Sequence, residues 1–252
     1  MKALITGAGS GIGMSFAKYL SSLGYELILV GKDKTKLESL QDSLETESKV
    51  IIADLSDLTK VKEVYVMTKN DNIDILINNA GFGLFGKFYE TDLNREIEMI
   101  NVNVQAVHLL TKLFLRDMQK KNSGYILNVA SMASFGPGPL MATYYATKAY
   151  VNNLTEAINE ELRREKSNVF VCSLCPGPVD TNFNNVAGVS FSVKPLTSDD
   201  VAYYAIKSMF KKKVVIIPGF KMRFVMFIHR FASRSLIRKI TYNVQKSKES
   251  KK

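Results

Sequence analysis

Cysteine is scarce in this 252-residue chain: Cys172 and Cys175 are the only two, and both fall in the apolar run Val169–Cys175. Side chains three apart on a strand point to opposite faces, and no second Cys/His pair completes a zinc site. The pair therefore reads as two small buried hydrophobes in a reducing compartment rather than as a redox or metal half-motif. Histidine is equally rare, with only His108 and His229, so a histidine-based metal cluster is excluded. Proline numbers six, and the composition is globular at 46% hydrophobic and 23% charged. No segment offers the roughly 18 uncharged apolar residues of a membrane-spanning helix. Met1–Ile5 runs straight into a glycine-rich loop with no signal-peptide pattern, and the expectation is a cytoplasmic protein. Acidic residues are nearly missing from residues 211–252, which hold 13 Lys/Arg against one acid, Glu249. Residues 1–210 carry 21 basic and 23 acidic side chains, so the net charge of +10 belongs to the C-terminal segment alone.

What is present is a regular alternation. Short apolar runs at Lys2–Thr6, Glu26–Val30, Lys49–Ala53, Ile73–Asn78, Gly124–Ala130, Asn168–Leu174 and Val214–Ile217 read as strands. Several are continuous rather than alternating, as parallel strands covered on both faces require. Between them lie amphipathic stretches at Gly11–Leu23, Asp33–Thr46, Leu58–Lys69, Leu93–Lys120, Ala142–Glu165 and Ser198–Phe210. Strand and helix in repeated succession predict an α/β fold: one Rossmann-like, doubly wound parallel sheet of about seven strands with helices on both faces. The expected organisation is a dinucleotide-binding catalytic domain over 1–217, with 218–252 a basic amphipathic helical extension and tail, part of the same domain.

The first strand ends in Thr6-Gly7-Ala8-Gly9-Ser10-Gly11-Ile12-Gly13. Glycine permits positive φ and close backbone approach, and the helix that follows presents free N–H groups and a partial positive charge to a pyrophosphate. Further motifs follow in order: Asn78-Asn79-Ala80-Gly81 after the fourth strand, Ile100–Asn103 in the next helix, and Asn128–Ser131 closing the fifth strand. Tyr144-Tyr145-Ala146-Thr147-Lys148 begins thirteen residues past Ser131, and Pro176-Gly177-Pro178-Val179-Asp180-Thr181 follows the sixth strand. Six motifs in register, spanning about residues 1–215, resemble the classical short-chain dehydrogenase/reductase family.

Tyr144 and Lys148, four apart in a helical pattern, share one face. A nearby ammonium favours a phenolate and lowers its pKa, so the pair suits proton transfer to or from an oxygen of the substrate. Ser131, at the carboxyl end of a strand, can bond the same oxygen. The resemblance implies the same roles: Tyr144 acid/base, Lys148 lowering its pKa and binding ribose, Ser131 orienting substrate, and Asn103, in preference to Asn101, supporting a water-mediated proton relay. It also implies dinucleotide contacts at Gly7, Ser10, Gly11, Ile12, Gly13, Asp54, Leu55, Asn79, Ala80, Gly81, Pro176, Gly177, Val179 and Thr181. The second strand ends in Gly31-Lys32-Asp33. NAD-preferring enzymes carry an acid at the strand end, where Gly31 stands here, and Lys32 can pair with a 2′-phosphate. NADP(H) is the expected cofactor, with NAD possible because Asp33 is one register step away.

The expected substrate walls are apolar and include Phe135, Met141 and Phe183, which suits a hydrophobic ketone, aldehyde or alcohol. In the extension, Phe220, Phe224, Phe227, Ile228 and Phe231 form one stripe of a basic helix. Such a helix over 218–240 can lie on an anionic membrane surface, cover the cleft or pack on a second subunit. No nucleic-acid motif accompanies it. The pattern of these motifs with a basic tail resembles bacterial oxidoreductases related to long-chain ketoacyl reductases and 17β-hydroxysteroid dehydrogenases. The family implies a homodimer or homotetramer through Leu93–Lys120 and Ala142–Glu165. The rival reading is a dinucleotide-binding sensor or membrane-associated scaffold with little turnover.

Overall fold

The computed structural model describes residues 1–181 and 195–247. In chain order the strands are β1 (Lys2–Thr6), β2 (Glu26–Gly31), β3 (Ser48–Ile52), β4 (Ile75–Asn78), β5 (Tyr125–Val129), β6 (Phe170–Leu174), β7 (Val179–Asp180), β8 (Leu196–Thr197) and β9 (Val215–Ile216). The helices are α1 (Gly11–Ser22), α2 (Lys34–Asp42), α3 (Leu58–Thr68), α4 (Leu93–Ile100), α5 (Val107–Lys121), α6 (Ala142–Arg164), α7 (Ser198–Phe210), α8 (Phe220–His229) and α9 (Arg234–Lys246). Seven strands form one parallel sheet in the order β3-β2-β1-β4-β5-β6-β9, and β7 pairs with β8 beside it.

Why the runs are apolar throughout is visible residue by residue. Ala3, Ile5, Leu27, Leu29, Ile75 and Ile77 enter a core shared with Phe16 and Leu20 of α1 and Ile206 of α7. Their neighbours Leu4, Ile28, Val30 and Leu76 point the other way, onto Val61 and Val64 of α3 and Leu110 and Phe114 of α5. Both faces are covered, so the central strand positions are mostly apolar. Fully burying each such side chain stabilises the fold by about 1.5–3 kcal/mol.

Helix starts show where the function sits. Asp33, Asp57 and Asp92 cap α2, α3 and α4 by accepting backbone N–H bonds from Lys36, Thr59 and Arg95. At α1 the cap residue Ser10 makes no such bond, and the first turn contains no acid. The strand order reverses between β1 and β4, and crevices at such switch points open at the carboxyl ends of the strands. The uncapped N-terminus of α1 thus lies where a ligand can use it.

Two elements depart from the sequence reading. The helix expected over Leu93–Lys120 is interrupted by a π-helical turn, Asn101–Ala106, between α4 and α5. Side-chain bonds accompany the interruption: Asn101 donates to the Ser56 carbonyl at 3.0 Å, and Asn103 to that of Phe82 at 2.9 Å. The extension holds a second helix beyond the run Phe220–Phe231, because Ser233 caps a fresh start by accepting from Leu236 N–H. Among the described residues no helix is long and apolar enough to cross a membrane.

Candidate active site

β1 delivers Thr6 to the carboxyl end of the sheet's strands, where its Oγ1 accepts from the backbone N–H groups of Asn79 at 3.0 Å and Ala80 at 3.1 Å. Asn79 answers by donating Nδ2 to the carbonyls of Thr6 and Gly7, at 3.0 and 3.1 Å. The glycine loop is thereby laced to the end of β4. Gly7 and Gly11 adopt φ of +63° and +52°, a region where a side chain is strained. Gly13 serves packing instead: a Cβ there would stand 2.2 Å from the Gly7 carbonyl oxygen. It lies behind the loop and is not among the residues lining the cavity.

That cavity, of about 560 Å³, runs from the glycine loop to α6. Of the candidates from the sequence, Gly7, Ser10, Gly11, Ile12, Lys32, Asp54, Leu55, Asn79, Ala80, Gly81, Ser131, Met141, Tyr144, Lys148, Pro176, Gly177, Val179 and Thr181 border it. At the β2 end the walls are Gly31, Lys32, Asp33 and Lys36. Asp33 is held below its usual pKa chiefly by the Lys36 backbone N–H, and it pairs with Lys36 Nζ at 3.1 Å. Its carboxylate is spent on capping α2. Asp54 is likewise held down, first by the Ser56 N–H at 2.9 Å.

The opposite end brings Ser131, Tyr144 and Lys148 together. Ser131 Oγ accepts from Ala133 N–H at 3.1 Å, and its side chain also hydrogen-bonds Tyr144. Lys148 is buried, donates to the Val129 carbonyl at 2.8 Å, and stands 6.0 Å from the Tyr144 ring centroid. Burial lowers its pKa to about 8. The Tyr144 phenol moves the other way, pushed up to about 12 by burial and only partly relieved by Ser131. The lowered phenol pKa expected from Lys148 is therefore not the state of the polypeptide by itself. Desolvation is the largest cause of the phenol's shift, while the Lys148 Nζ is engaged on the Val129 carbonyl.

Asn103 sits behind this end rather than at the cavity surface. It is fully buried, clasps the Phe82 backbone from both sides (Oδ1 from N–H at 3.1 Å, Nδ2 to the carbonyl at 2.9 Å) and donates to Thr147 Oγ1 at 3.1 Å. Gly81 makes the approach possible: a Cβ there would lie 2.9 Å from Asn103 Oδ1 and 3.2 Å from Lys148 Nζ.

Two expected substrate contacts fare differently from Met141. Phe135 is not in the cavity lining. The one-turn helix Met132–Phe135, anchored where Ser134 donates to the Lys148 carbonyl at 2.8 Å, packs Phe135 on Val107, Ala130, Val151 and Cys175. Phe183 lies outside the described residues. The sequence missed Lys36, Arg95, Tyr145 and Gln245, all of which line the cavity. Lys36 had a signal, being four residues past Lys32 on the helix that opens there; Gln245 had none. Cys172 and Cys175 are free and buried, on different core clusters. Burial raises both thiols, Cys175 to about 12. Among the described residues no group of three or more His, Cys, Asp or Glu could hold a metal.

Comparison with known proteins agrees with this geometry. Residues 1–188 match the family model described as short chain dehydrogenase. An uncharacterised oxidoreductase of Staphylococcus epidermidis is 35% identical over 181 residues, covering 71% of this chain and 78% of that protein. Among solved structures, a short-chain dehydrogenase from Sphingobium yanoikuyae in complex with NADPH superposes with a TM-score of 0.82 at 28% identity, covering 91% of this chain and 93% of the other. The bulky-bulky ketone specific alcohol dehydrogenase from Comamonas testosteroni gives 0.78 at 27% identity, covering 91% and 92%. With a glycine loop, a seven-stranded parallel sheet and these relatives, the chain belongs to the short-chain dehydrogenase family of NAD(P)-dependent oxidoreductases.

Proposed function

We propose that this oxidoreductase uses NADP(H) to interconvert a hydrophobic ketone or aldehyde and its alcohol, with Tyr144 as general acid/base. The observation that carries the reading is the convergence of Ser131, Tyr144 and Lys148 on the same cavity that begins at the uncapped start of α1. The residues suit a dinucleotide. Free N–H groups at Ser10–Ile12 meet a pyrophosphate, and the second-strand end offers Lys32 and Lys36 while Asp33 is engaged on its own helix. That arrangement favours a 2′-phosphate over a bare ribose. NAD(H) is the secondary choice.

When bound, the nicotinamide supplies or accepts the hydride. The chain's own residues handle the oxygen. Ser131 holds the carbonyl by hydrogen bonding, and Tyr144, kept neutral by burial, donates its proton as negative charge develops there. Lys148, charged below about pH 8, holds positive charge beside the phenol and so favours loss of that proton. Asn103 fixes the Phe82 backbone and Thr147, and through them the placement of Lys148. Phe82, Leu84, Phe85 and Met141 gather around Tyr144, and of these Phe82 and Met141 line the apolar side of the cavity. The bulky-bulky ketone specificity of the Comamonas enzyme supports a hydrophobic carbonyl here. The same features support a subgroup related to long-chain ketoacyl reductases and 17β-hydroxysteroid dehydrogenases.

A carbonyl panel assayed with NADPH and NADH side by side tests the proposal: NADPH should be oxidised faster with an apolar ketone. No oxidation of either cofactor with any carbonyl would favour a dinucleotide-binding sensor. Two further properties belong to the same reading. Self-association through the α4–α5 and α6 faces is supported by the exposed Leu93, Ile97 and Tyr150. Peripheral contact with an anionic membrane through 218–240 is supported by Phe220, Phe224, Phe227 and Phe231, all more than half exposed.

A further inference from the structure

We propose that Gln245 and Tyr145 form a polar subsite that recognises a hydroxyl group on the substrate, separate from the carbonyl that reacts at Tyr144. The proposal rests on the reading that this cavity holds a carbonyl substrate, and it adds a second recognition point to it.

Gln245 is the one buried residue of α9, with 1% of its surface exposed, and it lines the active-site cavity from the C-terminal end of the chain. An amphipathic helix normally buries apolar side chains. Here Leu236, Ile240 and Val244 are half exposed while an amide is buried. Its Nε2 donates to the Tyr145 hydroxyl, a contact spanning 100 positions of sequence. Its Oε1 is buried with no hydrogen-bond partner among the described residues. Buried amide oxygens are nearly always paired, and an orphan on a side chain that lines the cavity calls for a partner from the ligand. Tyr145 completes the pair. Its hydroxyl accepts from Gln245, which leaves its own proton to donate, and burial raises its pKa so that the proton stays in place. The pair therefore presents one acceptor and one donor, the complement of a hydroxyl.

The site is built rather than incidental. A Cβ on Gly138 would stand 2.1 Å from the Tyr145 ring, so only glycine leaves room for it. The ring meets that of Tyr144 edge-on, with centroids 6.2 Å apart, and this places the subsite next to the reacting group.

The test is titration of the NADP⁺-loaded protein with matched ligands, acetophenone and its ortho, meta and para hydroxy forms. At least one hydroxylated member should bind about tenfold tighter than the parent. That ratio should fall to within about twofold in both Gln245→Met and Tyr145→Phe, with folding checked by circular dichroism. A merely structural clasp between α9 and α6 would weaken both ligands together and leave the ratio intact. A ratio near one in the unmodified protein, or one preserved in both variants, overturns the proposal. NADPH oxidation is followed separately, so absence of turnover would count against the carbonyl reaction while the binding ratio still decides the subsite.

Discussion

Tyr144 and Lys148 illustrate two titratable groups whose burial drives their pKa values apart, one up to about 12 and the other down to about 8. The phenol is thus a neutral acid across the physiological range, suited to reduction. Tyr144→Phe should lower kcat/KM by about 10²–10⁴-fold while NADPH still raises the melting temperature; steady-state kinetics beside thermal denaturation check this. Loss of the Lys148 charge predicts a reductive kcat/KM that is level from neutral pH to about 8 and falls above it. The same group bears on stability. Its folded pKa lies below the ordinary 10.5, so between about 8 and 10.5 the unfolded chain binds more protons and stability rises with pH. Below that window the buried ammonium costs on the order of 3 kcal/mol. Lys148→Met removes the cost but forfeits the bond to Val129, worth about 1 kcal/mol. The variant should be inactive yet about 2 kcal/mol more stable in urea unfolding at pH 7. Equal or lower stability would show that the ammonium is better solvated than its burial implies.

At the level of elements, the glycine loop works through its seat on β4. Gly13→Ala would drive a Cβ onto the Gly7 carbonyl oxygen, 2.2 Å away, with Asn79 Nδ2 at 2.6 Å. Backbone cannot yield as a side-chain tip would. The expected cost is about 3 kcal/mol together with loss of NADPH-induced thermal protection. Gly24→Ala is the control: open space surrounds it and only its φ of +82° opposes a side chain, so about 1 kcal/mol is expected. These positions also show what the sequence can disclose. The motifs from Gly7 to Thr181 follow strands that are apolar on both faces, and parallel order brings their carboxyl ends together; local pattern therefore located most of the cavity. The π turn at Asn101–Ala106 escaped because its flanks keep helical periodicity. Phe135 was misplaced because a single 3₁₀ turn decides which way it faces. Gln245 was invisible because its partner lies 100 residues away on another element.

The whole molecule is electrically divided. Residues 211–252 hold 13 of the 34 basic side chains with one acid, whereas residues 1–210 are close to neutral. The same segment exposes Phe220, Phe224, Val225, Phe227, Ile228 and Phe231, interspersed with Lys221, Arg223 and Arg230. It is nonetheless tied to the active site: Arg223 donates to the Tyr204 hydroxyl at 3.2 Å, and Met222 abuts Gly177 on the cavity rim. Apolar rings beside cations suit an interface of acyl chains and anionic headgroups. Attraction of about 1 kcal/mol per cation near such a surface is screened within roughly 8 Å at physiological salt. Co-sedimentation should therefore capture the protein on vesicles containing phosphatidylserine but not on phosphatidylcholine alone, and rising salt should release it. Replacing Phe224 and Phe227 by Ser removes the half-exposed rings without touching the cavity lining. That double variant should bind vesicles at least about tenfold more weakly, because each ring forfeits more than 1 kcal/mol of apolar burial. Unchanged vesicle binding, combined with a smaller hydrodynamic radius in the variant, would assign the stripe to contact between subunits instead.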